Sequence, residues 1–453
     1  MRELFGTDGI RGVAGQFPLE PDSLVCIGLA VARHLKGATT NPRIIMGHDT
    51  RESGPWIAQC LTGSLEDAGV DLIHQVGVIS TPGLAFLTRI HEFDLGIMIS
   101  ASHNPYMDNG IKLFSKTGFK FPDEWEKGIE REIFACLDRG DFRAKSRVRK
   151  TPLSAEAEVE DYIEFLVEQF QGAYRAGRVA MDVCNGSASQ IAPMVFQRLG
   201  AEVSVINNKP DGKNINQHCG SLHIEVLKEF VNRTKSVFGV AFDGDADRSL
   251  FVTSSGRVFD GDYVLYAFSD YFKRQGRLQQ NIVVGTVMTN LALEISLKKR
   301  GISLIRAAVG DKYVLEEMRR TNANLGGEPS GHVILRDYHT TGDGILTAIK
   351  LAEILSSEET TLDEIAAGYK PYPQILDGLK VKERISLTRS KEIQSLLAET
   401  ERQLHGNGRL VVRYSGTEPL LRLMVEGEDP EQVNRLVREL KAGLEKVLSV
   451  ISS

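Results

Sequence analysis

Three aspartates, Asp243, Asp245 and Asp247, alternate in Phe242-Asp243-Gly244-Asp245-Ala246-Asp247-Arg248, directly after the apolar run Val237–Ala241. Alternate side chains of an extended backbone point the same way, so the three carboxylates would crowd together. Two unit charges ~4 Å apart at an effective dielectric of ~20 repel by ~4 kcal/mol, and three such groups do not all stay ionised without a cation. Oxygen ligands with no His or Cys favour Mg²⁺ over zinc or copper. The competing reading is the Asp-x-Asp-x-Asp opening of an EF-hand. It fails at Arg248, where that loop needs glycine, and at Ser254, where it needs glutamate.

A nucleophile of matching chemistry is Ser102. The apolar run Leu95–Ile99 stops in Ser100-Ala101-Ser102-His103-Asn104-Pro105, whose short polar side chains and proline make a turn. Ser102 is thus expected on a loop at the end of a strand, where open α/β sheets place ligands. Lys112 follows ten residues on, and Arg11 lies in the glycine-rich opening Phe5-Gly6-Thr7-Asp8-Gly9-Ile10-Arg11-Gly12. In Gly326-Gly327-Glu328-Pro329-Ser330-Gly331-His332 a carboxylate, a hydroxyl and an imidazole could meet sugar hydroxyls or handle protons. In Arg413-Tyr414-Ser415-Gly416-Thr417-Glu418-Pro419, with Arg422 following, successive N–H groups form an anion nest and two arginines add bidentate bonds to a phosphate. An acceptor hydroxyl, a divalent-cation site and cationic clamps are the parts that phosphoryl transfer needs.

The elements that must position these groups repeat. Strand, polar turn, amphipathic helix, strand recurs three times: Arg43–Gly47, Trp56–Asp67 and Val70–Val76; Arg178–Val183, Gln190–Leu199 and Glu202–Ile206; Asn281–Gly285, Leu291–Lys299 and Ile302–Ala307. Each helix runs into a glycine, Gly69, Gly200 or Gly301, as left-handed C-termini require. Such units predict mostly parallel sheets covered by helices. The basic stretch Arg143–Thr151 before Pro152, the turn Thr253–Gly256 and the break at Pro371 and Pro373 divide the chain. After the last break the pattern changes to strand Leu379–Val381, helix Lys391–Leu404, strands Leu410–Tyr414 and Leu421–Val425, and helix Pro430–Leu448. The expected fold class is α/β: three similar mixed α/β domains over 1–152, 153–254 and 255–369, then an α+β domain over 370–453, around a central cleft.

The 453 residues, 42% hydrophobic and 25% charged with a net charge of −6, suit a multidomain globular chain and argue against nucleic acid or a polybasic membrane contact. The five cysteines are scattered, odd in number and without Cys-x-x-Cys. They read as reduced thiols of a cytoplasmic protein, with no disulfide and no zinc site. The N-terminus lacks a secretory signal, and no apolar run approaches the ~18–20 residues that span a bilayer.

Taken together, the four loops in this order resemble those of the α-D-phosphohexomutase family over essentially the full chain. Pro210-Asp211-Gly212-Lys213-Asn214-Ile215-Asn216, Cys219-Gly220-Ser221, Val287-Met288-Thr289-Asn290 and Thr340-Thr341-Gly342-Asp343-Gly344 are similar to its amino-sugar branch; the alternative is the glucose or mannose phosphate branch. Two residues depart from the branch pattern: Pro329 where glutamine is more frequent, and Tyr414 where proline is. Pro329 offers neither an amide side chain nor an N–H to a sugar. The resemblance implies a phosphoserine at Ser102 and Mg²⁺ held by Asp243, Asp245, Asp247 and that phosphoserine. It implies Arg11, Lys112 and Arg248 as positive partners of the moving group, and His103 and His332 for proton handling. Glu328 and Ser330 would hold sugar hydroxyls; Arg413, Ser415, Gly416, Thr417 and Arg422 would hold the phosphate that is not reacting. A hexose 1,6-bisphosphate, of glucose or glucosamine, would prime the serine. The implied partner is a small sugar phosphate, with no nucleic acid or membrane, and the oligomeric state is open between monomer and homodimer. A rival is an aspartate-nucleophile phosphatase using Asp243 and Asp245; that family usually has Thr or Val where Asp247 stands.

Overall fold

The computed structural model describes residues 4–6, 8–140, 156–414 and 420–448. The basic stretch Arg143–Thr151 and the loop residues Ser415, Gly416 and Thr417 lie outside them.

The first sheet holds β1 (Phe5–Gly6), β2 (Gly9–Val13), β3 (Arg43–His48), β4 (Leu72–Val78), β5 (Leu95–Ile99) and β6 (Asp108–Ser115), in the order β1-β2-β6-β5-β3-β4. The second holds β7 (Val179–Asp182), β8 (Val203–Ile206), β9 (Phe238–Phe242), β10 (Ser249–Thr253) and β11 (Val258–Phe259), in the order β11-β10-β9-β7-β8. The third holds β12 (Ile282–Thr286), β13 (Ser303–Ala307), β14 (Leu325–Gly327) and β15 (Val333–Leu335), in the order β13-β12-β14-β15. One plan underlies all three. A strand pairs in parallel with the strand that follows it across a helix and, on its other side, with a third parallel strand. That third strand then turns back into an antiparallel partner, as β5 into β6, β9 into β10 and β14 into β15.

The sequence units are the first half of each plan. Their helices are Gly54–Asp67, Ala188–Arg198 and Leu291–Lys299, and the glycines that follow have φ of 78° at Gly69, 91° at Gly200 and 67° at Gly301. The last sheet is antiparallel: β16 (Gln374–Lys380), β17 (Gly408–Tyr414) and β18 (Leu420–Gly427), in the order β16-β18-β17, covered by helices Lys391–Gln403 and Pro430–Val447.

Packing divides the molecule unequally. One apolar core runs through the second and third sheets and takes in one face of the first, with Leu84, Phe86 and Met98 joined to Tyr162, Val179, Phe242, Val283 and Ile349. The helix Gly344–Ser357 is almost wholly buried within it. The fourth sheet has its own core, around Leu379, Leu423, Leu436 and Leu440. It meets the third domain through polar contacts. Gln374 Nε2 donates to Met288 O at 3.2 Å, Arg409 Nη2 to Thr289 O at 2.7 Å and Leu291 N to the buried Glu426 at 3.2 Å, and Asn290 exchanges two bonds of 3.0 Å with Tyr372.

The expectation of five reduced thiols is corrected. Cys26 and Cys136 form a disulfide with their Cα atoms 5.6 Å apart, while Cys60, Cys184 and Cys219 are free. The helices Pro21–Lys36 and Asp123–Arg139 carry them and share the second apolar core of the first domain. Residues 110 apart in sequence thus become neighbours, which spacing alone does not show. Among the described residues no helix is long and apolar enough to cross a membrane.

Candidate active site

The chemistry-bearing loops occupy one topological position. Ser102 lies between β5 and β6, Asp243, Asp245 and Asp247 between β9 and β10, and Glu328 with His332 between β14 and β15. All three loops leave the carboxyl end of a parallel strand, where such sheets bind ligands.

Ser102 is buried and left-handed, with φ of 53°, a conformation that costs a non-glycine residue ~1–2 kcal/mol. Its Oγ donates to Asp243 Oδ2 at 2.6 Å and lies 3.4 Å from His103 Nδ1. The acidic loop is not extended, contrary to the alternation argument. Ala246 has φ of 58° and its N–H donates to Asp243 O at 3.1 Å, so the chain turns there. The turn still converges the carboxylates: one oxygen from each of Asp243, Asp245 and Asp247 lies within 4.8 Å of the others, and all three side chains are buried.

The triplet suits a hard divalent cation. Asp245 Oδ1 and Asp247 Oδ1 are buried without a hydrogen-bond partner, and the donor set is oxygen alone. Burial, with Asp247 and Asp245 adding to it, pushes the Asp243 carboxyl well above its usual range; a bound cation reverses that tendency.

Around the triplet stand the expected cations. Lys112 Nζ is 2.7 Å from Asp245 Oδ2, 2.8 Å from Asp8 Oδ2 and 3.6 Å from Asp247 Oδ2. Burial would lower its ammonium pKa, but Asp245 and Asp8 outweigh that and raise it. Burial likewise opposes ionisation of Asp245 and Asp8, yet Lys112 above all holds both carboxyls below their usual range. Arg11 pairs with Asp8 and reaches Ala101 O at 3.4 Å. Arg248 donates its N–H to Asp243 Oδ1 at 3.2 Å and its Nη1 meets His103 Nδ1 at 2.9 Å. Burial first, then Arg248 and Arg11, push the His103 pKa down to about 4. A neutral His103 whose Nδ1 accepts from Arg248 carries its proton on Nε2.

The structure adds residues that sequence reasoning did not single out. Lys120 pairs with both Asp8 and Asp311, and Asp311 Oδ2 lies 3.8 Å from His332 Nε2. This chain of charges ties the first domain to the third. His332 is buried with neither ring nitrogen hydrogen-bonded, and its ring packs so closely on Gly342 that a Cβ there would lie 2.4 Å from Cε1. Glu328 Oε1 accepts from Gly310 N at 3.0 Å, and Ser330 is exposed at the loop tip. The only sequence signal for Lys120, Asp311 and Asp8 was charge beside glycine-rich turns, which surface loops share.

Arg413 and Arg422 form a separate group. They are directly opposite on β17 and β18 and line a cavity of about 430 Å³ with Met288, Leu376 and Met424; none of the residues around Ser102 lines it. Burial and the facing Arg422 hold the Arg413 pKa below its usual value. Two like charges in cross-strand register repel each other.

The described geometry therefore holds a buried hydroxyl on an acidic triplet, with a pair of facing arginines elsewhere in the molecule. Residues 2–138, 160–256, 260–372 and 378–442 match, in turn, the alpha/beta/alpha domains I, II and III and the C-terminal domain of phosphoglucomutase/phosphomannomutase. The chain belongs to the phosphoglucomutase/phosphomannomutase family. More particularly, its curated relatives include the phosphoglucosamine mutase of Solibacter usitatus, 48% identical over 95% of this chain and 96% of that one. That of Koribacter versatilis is 42% identical over 99% and 98%. Among solved structures, a phosphoglucomutase/phosphomannomutase family protein from Burkholderia thailandensis superposes with a TM-score of 0.79 at 23% identity, covering 99% of this chain and 100% of that one. The N-acetylphosphoglucosamine mutase of Aspergillus fumigatus, in complex with GlcNAc-6P and magnesium, does so with a TM-score of 0.67 at 16% identity over 98% and 95%. The fold is shared with both.

Proposed function

We propose that this chain is a phosphoglucosamine mutase that interconverts glucosamine 6-phosphate and glucosamine 1-phosphate through a phosphoserine at Ser102 and a bound 1,6-bisphosphate. The observation that carries the reading is the Ser102 hydroxyl, buried and 2.6 Å from Asp243 of the acidic triplet. The amino-sugar substrate rests on relatives of that name at 42–48% identity over nearly the whole chain. The product would feed UDP-N-acetylglucosamine and the bacterial wall. Sugar phosphates do not cross membranes unaided, which supports action in the cytoplasm.

In the forward half-reaction the bond from phosphorus to Ser102 Oγ breaks. A new bond forms from phosphorus to the free sugar hydroxyl, whose proton leaves to a base. His332, buried with neither ring nitrogen hydrogen-bonded, is our candidate to take that proton, and the departing Ser102 oxygen would regain one through His103, whose Nδ1 lies 3.4 Å from it. Lys112, Arg11 and Arg248 compensate the charge spread over the phosphoryl oxygens. Asp243, Asp245 and Asp247, joined by the phosphoserine, would hold Mg²⁺, which neutralises phosphoryl charge when bound. Glu328 and Ser330 would hold the sugar hydroxyls, and Arg413, Arg422 and the loop Ser415-Gly416-Thr417 the distal phosphate. After the bisphosphate turns over in the site, Ser102 accepts the other phosphoryl group and the cycle closes without net transfer.

A coupled assay on glucosamine, glucose and mannose 6-phosphates tests the assignment. Glucosamine 6-phosphate should give the largest kcat/KM, and Ser102→Ala should abolish turnover. A preference for glucose or mannose phosphate would move the chain to another branch of the family, and a turning-over Ser102→Ala would remove the phosphoserine.

A further inference from the structure

The left-handed conformation of Ser102 has identifiable supports, and two of them come from residues outside the reacting groups. Arg51, in the turn after β3, has a completely buried side chain. Its Nη2 donates to the carbonyls of Ser102 and Asn104, each at 2.9 Å, and its Nη1 to those of Asp108, at 2.9 Å, and Pro105. Its Nε donates to Asp49 Oδ2 at 2.9 Å. Asp49 also accepts from Ser100 Oγ at 2.6 Å, and Ser100 Oγ accepts from Ser102 N at 3.0 Å. Both backbone polar groups of Ser102 are therefore tied to the Asp49–Arg51 pair.

The second support crosses from the second domain. Asn216 ends the stretch Pro210–Asn216 that distinguishes the sequence but has no part in the mechanism. Its Nδ2 donates to the same two carbonyls, Ser102 O at 2.8 Å and Asn104 O at 3.1 Å. Its own N–H donates to Cys184 O at 3.0 Å. Thr50 Oγ1 bonds Asn185 O at 2.5 Å and Glu52 N bonds Gly212 O at 2.9 Å, so the Arg51 turn and the Asn216 loop are docked on each other. Gly244 of the acidic loop closes the contact from the third side. A Cβ there would lie 2.5 Å from Ser102 O and 3.0 Å from Asn216 Nδ2.

We propose that Arg51 and Asn216 are positioning residues for phosphoryl transfer: a clamp from two domains that grips the Ser102 and Asn104 carbonyls and thereby aims the Ser102 hydroxyl at the acidic triplet. The clamp rests on the reading of Ser102 as the phosphoryl carrier. Phosphoryl transfer to Ser102 needs its oxygen in line with the incoming phosphorus. Loosening the loop by about 1 Å costs on the order of 100-fold in rate while leaving the sugar and distal-phosphate contacts intact.

The experiment follows Ser102 phosphorylation in the full-length protein with Mg²⁺ and glucose 1,6-bisphosphate, by quenched peptide mapping, alongside kcat, KM for the sugar phosphate and Tm. Asn216→Ala removes one arm of the clamp. Arg51→Lys keeps the charge beside Asp49 but cannot span four carbonyls. Both should slow Ser102 phosphorylation and kcat together, by on the order of 10- to 100-fold, with KM close to wild type; Tm should fall in Arg51→Lys, which leaves buried carbonyls unpaired, and stay near wild type in Asn216→Ala. Wild-type labelling rates in both variants would overturn the clamp, as would losses that follow a raised KM or a collapsed Tm in both. Absence of label on Ser102 in the wild type would overturn the carrier reading itself, and the clamp with it.

Discussion

At the scale of single residues, the site is a balance of buried charge. Lys112 touches three carboxylates, Asp8 touches three cations, and Asp243 is the member whose carboxyl burial and the two neighbouring aspartates push up, against Arg248 and the Ser102 hydroxyl. Chelation should therefore abolish activity, and Mg²⁺ should restore it. Asp245→Asn should lower kcat by on the order of 100-fold or more, because it removes a proposed cation ligand and also the principal partner of buried Lys112. A chelator-insensitive enzyme, or an active Asp245→Asn, would show that the triplet is structural. At the distal face, Arg413→Ala should raise KM about 10- to 100-fold, the equivalent of ~1.5–3 kcal/mol for a charged hydrogen bond, with a smaller change in kcat. An unchanged KM would detach those strands from substrate binding.

At the scale of elements, the three α/β sheets share one order of strands, and each contributes its chemistry from the hairpin between its third parallel strand and an antiparallel partner. The sequence units caught only the first two strands and the helix of each plan, because there the switch from apolar strand to amphipathic helix is sharp. The third strand was visible as an apolar run at Leu95–Ile99 and Val237–Ala241. That its loops converge depends on pairing between distant strands, which local periodicity does not encode. Ser102, His103 and the aspartates were legible because few loops combine such side chains after a strand. Arg51 and Asp49 were not, since a charged pair at a strand end reads as solvated surface; only the neighbouring β5 makes it interior. Cys26 and Cys136 failed for the same reason, their helices meeting only in three dimensions. A direct test at this scale is Gly244→Ala, whose methyl group would meet the Ser102 carbonyl oxygen first and the side chains of Ile215 and Asn216 just beyond it. It should lower kcat sharply and leave Arg413-dependent binding of the distal phosphate intact; wild-type turnover would show that the loop yields.

At the scale of the molecule, three sheets are fused by a common core while the fourth is joined by polar contacts around Asn290, Tyr372 and Glu426. A bisphosphate that must turn around without escaping needs a cleft able to close, and we expect the fourth domain to be the part that closes it. Small-angle scattering should show a more compact molecule with sugar bisphosphate than without; identical profiles would argue against a hinge. The fused part has its own acid sensitivity. His339 is buried, its ring 6.3 Å from Phe86 and 6.1 Å from Phe165. Burial, then Arg89, push its pKa down to about 3, against ~6.5 in the unfolded chain. The folded state refuses a proton that the unfolded chain accepts. This contribution is thus complete above about pH 6.5 and falls by about 1.4 kcal/mol per unit as the pH drops toward 3. Between pH 7 and pH 5 the wild type should lose more Tm than His339→Asn; parallel losses would assign the acid limb to other groups.

The carrier role of Ser102 is the claim on which the rest turns. Purified protein exposed to glucose 1,6-bisphosphate and Mg²⁺, digested and mapped by mass, should show one phosphoryl group on the peptide containing Ser102, discharged when glucosamine 6-phosphate is added. A phosphoryl group on Asp243 instead, or turnover of glucosamine phosphates with Ser102 never modified, would contradict it.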